Sequence, residues 1–110
     1  MGISYGKEKF YSAMYTCVTD QRSLRERLLD AWTSGLYRLT EEDFPPEHWQ
    51  RFEQMKKAMV FDPAKGDEGR WQASIDKMTE GEIRQWVLEI LSLFMVVVAA
   101  EAREDALRKP

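Results

Sequence analysis

Between residues 83 and 101 the chain carries apolar side chains in almost every direction a helix can point. At about 100° per residue, Ile83, Trp86, Val87, Ile90, Leu91, Leu93, Phe94, Val97 and Val98 form one broad inward stripe. Leu88, Met95, Val96 and Ala99 gather on the opposite side, around Ser92. A surface helix of a monomer would place charge at several of those positions. A helix that is apolar nearly all round is covered on both sides, and a chain of 110 residues has few other elements to do the covering. Either the helix threads the middle of a bundle, or its second face meets another chain. Symmetric dimers are the commonest soluble oligomers, so the second expectation is preferred, with Leu88, Met95, Val96 and Ala99 as the contact. The run Val96-Val97-Val98 favours strands, but its helical flanks override that preference.

The uncharged run 90–100 is about half the ~20 residues that a spanning helix needs, and Glu89 and Glu101 close its ends. The expectation is a buried helix and no membrane. Upstream, Thr79-Glu80-Gly81-Glu82 fits a capping box that starts this helix. Downstream, residues 102–110 read as a charged, fraying end.

Helical spacing also organises the rest of the chain. Residues 1–6 read as an irregular lead-in, followed by a helix from Lys7 to about Thr19 with Phe10, Met14, Cys17 and Val18 inward. Asp20 or Ser23 can cap a second helix, whose stripe runs through Leu24, Leu28, Ala31, Trp32, Gly35, Leu36 and Leu39. Gly35 costs that helix about 1 kcal/mol relative to alanine, so it marks either a close crossing or the beginning of the end. Phe44 precedes Pro45 and is pushed towards extended backbone, and Pro45-Pro46 opens a helix carrying Trp49, Phe52, Met55 and Met59. Residues 62–69 form a loop rich in glycine and small polar groups, and a short helix with Trp71, Ile75 and Met78 inward follows. The fold class is therefore all-α: a single-domain bundle of four to five helices over 1–110, ending in a long apolar helix.

Composition narrows the function classes. With 44% hydrophobic and 32% charged residues the chain is an ordinary globular protein. Its net charge of −3 gives no basic field for phosphate, so a nucleic-acid partner is disfavoured. The single cysteine, Cys17, excludes an intramolecular disulfide and fits a reducing compartment. The N-terminal residues show no signal peptide, and Gly6 stands where a myristoylation motif wants a hydroxyl, so a soluble cytoplasmic protein is expected.

No enzyme motif rises above background, and no cofactor is expected. His48, the sole histidine, stands beside Glu47 and just after Glu41, Glu42 and Asp43, which makes a small enzyme or metal protein the first alternative. No second His or Cys ligand supports that set. A nucleophilic Cys17 would need His48 brought to it by tertiary approach, and Cys17 lies on the core stripe. Trp49, Trp71 and Trp86 fall on inward stripes and read as core, whereas Trp32 sits at a stripe edge. Arg22, Arg25 and Arg27 could face DNA phosphate, a second alternative weakened by the interleaved Glu26 and Asp30. The sequence therefore points first to a non-enzymatic interaction or regulatory module, acting through a second copy of itself or another protein.

Overall fold

The structure, a computed structural model, describes residues 2–60 and 67–108, except the side chains of 67 and 68. The described residues form an all-α fold without strands. Its helices are α1 (Ile3–Thr19), α2 (Leu24–Thr33), α3 (Trp49–Met59), α4 (Asp67–Asp76) and α5 (Glu80–Arg108). Three single 3-10 turns, Leu36–Arg38, Glu41–Asp43 and Pro46–His48, carry the chain from α2 to α3.

Helix α1 begins four residues earlier than the spacing predicts, so most of the expected lead-in is helical. The reason lies across the fold at Asp43. Its carboxylate accepts hydrogen bonds from the backbone N–H of Gly2 at 2.8 Å and of Thr40 at 2.8 Å. One buried acid thus holds the start of α1 against the turn that leads to α3. Gly6 permits the approach, because a Cβ there would sit 2.5 Å from the Asp43 carbonyl oxygen. The buried side of α1 is Gly6, Phe10, Ala13 and Cys17, rotated from the expected stripe so that Val18 faces outward.

Ser23 caps α2, its hydroxyl accepting from the Glu26 amide at 3.2 Å. The helix stops at Thr33, and the chain turns at Gly35 beside the Lys9 side chain. Leu36 and Leu39 still reach the interior, through a 3-10 turn and not along a continued helix. Phe44 is extended before Pro45, as a residue preceding proline should be. Residues 62–66 of the expected loop lie outside the described residues, and 67–69 already belong to α4.

Phe52 stands at the centre of the core. Its ring lies 4.8 Å from Phe44, 5.7 Å from Trp32, 5.8 Å from Trp49 and 6.1 Å from Phe10, which joins α1, α2 and α3. Trp32 is fully buried, where the sequence had it at a stripe edge, and its indole N–H finds no acceptor among the described residues. Trp71 and Ile75 of α4 complete this side.

The capping box forms as the sequence specifies. The Thr79 amide donates to Glu82 at 2.8 Å, and the Glu82 amide donates to the Thr79 hydroxyl at 3.1 Å. From there α5 runs 29 residues, about 43 Å at 1.5 Å per residue, along a molecule whose longest dimension is 51 Å. It remains helical through Arg108, so residues 102–108 extend the rod. Ile83, Ile90, Leu93, Val97 and Ala100 form its buried side. Helix α1 lies antiparallel along it: Ser4 and Lys7 reach Glu101, while Tyr11 packs edge-on against Phe94 at 6.3 Å.

Candidate interaction surface

Of the four residues the sequence assigned to a contact, Leu88, Met95 and Ala99 are exposed and Val96 is half-buried on the flank of α5. Met95 is the most open, at 64%. Leu91 and Val98 were expected inward. Both are exposed, at 39% and 40%. The correction follows from how α1 sits. It covers the side of α5 carrying Phe94 and Glu101, so the core-facing arc is narrower than the stripe drawn from spacing alone. Leu88, Leu91, Met95 and Val98 therefore form one outward ridge at steps of three, four and three residues.

The neighbouring helix continues this surface, which the sequence reading missed. Tyr11, Tyr15 and Val18, at steps of four and three, are 61%, 61% and 73% exposed. Their spacing was a readable signal: a second apolar stripe on α1, turned away from Phe10, Ala13 and Cys17. Because α1 and α5 are antiparallel and joined at Tyr11 and Phe94, the two ridges lie side by side. Among the described residues, every exposed large apolar side chain except Val60 and Leu107 belongs to this face. Residues at such spacing on two adjacent helices form side-by-side apolar ridges of the kind that pack ridge into groove in helical bundles.

The seam between the ridges is hollow on both sides of the Tyr11–Phe94 contact. One hollow, about 550 Å³, is apolar at Tyr11, Phe94 and Val98 and charged at Lys7, Glu8 and Glu101. The other, about 190 Å³, lies among Met14, Tyr15 and Val18. Lys7 and Ser4 hold the Glu101 carboxyl below the usual carboxylate range, Lys7 contributing more. On the other flank of α5, Arg51 grips Glu89 through two hydrogen bonds of 2.7 and 3.1 Å and donates to Ser92 at 2.7 Å. These bonds fix the rotation of α5 and hence which residues face out.

The remaining candidates are drawn into the scaffold. Asp43 is buried and occupied with backbone amides, while His48 contacts Arg51 through Nδ1 at 3.3 Å. The structure does not gather His48 with its neighbouring acids: among the described residues no three His, Cys, Asp or Glu side chains cluster closely enough to hold a metal. Arg22 pairs with Asp20 and Asp30, Arg25 with Glu80 and the Ile75 carbonyl, and Arg27 donates to the Cys17 carbonyl at 2.6 Å. All three arginines tie α2 to its surroundings and do not form a free basic row. The Cys17 thiol is buried, and burial raises its pKa, which works against a thiolate. A hollow of about 260 Å³ beside Trp32, Tyr37 and Trp71 carries Lys56 and Lys57 at its rim, but the Trp32 N–H is itself sealed from it.

Helix α5 is long and apolar enough to cross a membrane by length and composition, and only 28% of its most apolar stretch is buried inside the molecule. The charge-free run is thus part of a much longer apolar helix, only partly covered by its own chain. Comparison with family models, with curated proteins and with solved structures finds no match to this chain.

Proposed function

We propose that this protein is a non-enzymatic interaction module that associates with a second copy of itself through the α1/α5 face. The observation that supports this reading is the pairing of two apolar ridges on adjacent antiparallel helices, both uncovered. An isolated exposed leucine is ordinary, whereas a contiguous face of seven large apolar side chains, two of them tyrosines, has the composition of an interface core. A lipid surface is the competing occupant. Membrane-bound amphipathic helices carry a basic rim that anionic headgroups attract. Here the rim is mixed, with Glu8, Glu101 and Asp105 alongside Lys7 and Arg84, in a chain of net charge −3.

The test is association of the purified chain, followed by light scattering, with Met95→Glu and Tyr15→Glu as face variants. Gln50→Glu, exposed on α3, is the control. A charge buried without a partner costs several kcal/mol, so each face variant is expected to weaken association at least ~100-fold while the control leaves it unchanged. Association unaffected by both face variants would assign the contact elsewhere. A monomeric chain that floats with lipid vesicles would give the face to a membrane instead.

A further inference from the structure

Building on that self-association, we infer that the second copy docks about a twofold axis passing close to Leu91, with each α5 antiparallel to its counterpart and Arg84 of each copy reaching Glu8 of the other. Register within one chain carries the argument. Ser4 and Lys7 reach Glu101, and Tyr11 meets Phe94, so Glu8 stands level with residues 97–98 of α5. Arg84 lies about four helical turns down α5 from that level, roughly 21 Å away. It is exposed and falls in line with the ridge that begins at Leu88. Glu8 and Arg84 are both exposed, and neither makes a hydrogen bond or ion pair with a described residue. Leu91 is midway between the two levels. A twofold axis there carries the level of Arg84 onto that of Glu8, so two unpaired cations each meet an unpaired anion. A parallel arrangement would set Arg84 against Arg84 and Glu8 against Glu8, which like-charge repulsion disfavours.

The larger hollow sets an apolar end beside a charged one, as this register requires. Along it the lining changes from apolar at Tyr11, Phe94 and Val98 to charged at Lys7, Glu8 and Glu101, where Lys7 pairs with Glu101 and Glu8 is the acid left to meet an incoming cation. The incoming helix presents Leu88 at the level of Phe94 and Arg84 at the level of Glu8, the same order of leucine and then cation. Leu91 meets its own symmetry mate, where the ridges cross.

The experiment is sedimentation equilibrium of the wild type, Arg84→Glu, Glu8→Arg and the double variant, at low and at raised salt. Both sites are exposed, so the fold survives each change. Each single reversal places like charges together twice per dimer, so it weakens association roughly tenfold or more at low salt, and less at raised salt. The double variant restores the attraction and returns association to within about threefold of the wild type. If the wild type dimerises but the single reversals change nothing, or the double variant is weaker than either, the register is wrong while self-association stands. A wild type that remains monomeric overturns both, and binding of that monomer to neutral or anionic vesicles would assign the face to lipid.

Discussion

Gly6 shows how much one missing carbon can decide. Asp43 pulls its own turn against the start of α1, and its carbonyl oxygen occupies the space a side chain at position 6 would need. Gly6→Ala is therefore expected to destabilise the fold by about 1–3 kcal/mol, as overpacking does, although alanine is the better helix former. Urea unfolding measures it, and a stabilised variant would show that the contact is not tight. Asp20 makes an electrostatic prediction. Its hydrogen bonds to Arg22 hold its pKa at about 2, below the ordinary 3.8. A carboxylate with a lowered folded-state pKa stabilises the fold fully above its unfolded value, and that stabilisation is lost as pH falls through the folded one. The urea midpoint should thus decline from about pH 4 towards about pH 2, with Glu101, lowered mainly by Lys7, adding to the slope. Asp20→Asn should make that decline shallower.

At the scale of elements, the ring cluster around Phe52 is what makes α1, α2 and α3 one body. Phe52→Ala removes a fully buried ring that touches four others, and should cost about 3–5 kcal/mol in chemical unfolding. A loss under about 1 kcal/mol would mean that the cluster is loosely packed. Local signals were legible wherever chemistry acts over three or four residues. The Thr79–Glu82 box, the Ser23 cap, the extended Phe44 and the buried Phe52, Met55 and Met59 are all of that kind. Rotation of a helix about its axis was not legible, because it is set by what packs from far along the chain. The lie of α1 along α5 and the grip of Arg51 on Glu89 turn Leu91 and Val98 outward. Tyr11 and Tyr15 are not legible as a face, because tyrosine suits core and surface alike and the stripe through Phe10 and Cys17 is the more apolar one. In sequence Gly35 is compatible with either a close crossing or a helix end, and the chain turns there.

At the scale of the whole molecule, the apolar material is divided unevenly. The interior is closed by α1 to α4 and one side of α5, while a ridge of α5 and a stripe of α1 remain open along one face. A second copy turned through a twofold axis would close that face and complete the bundle of which one chain supplies half. The most direct measurement is the solution mass of the unmodified chain by sedimentation equilibrium, from sub-micromolar to tens of micromolar concentration. Self-association through this face predicts twice the 12.9 kDa of one chain, falling to the single-chain mass only on dilution. A mass of 12.9 kDa at every concentration would contradict it.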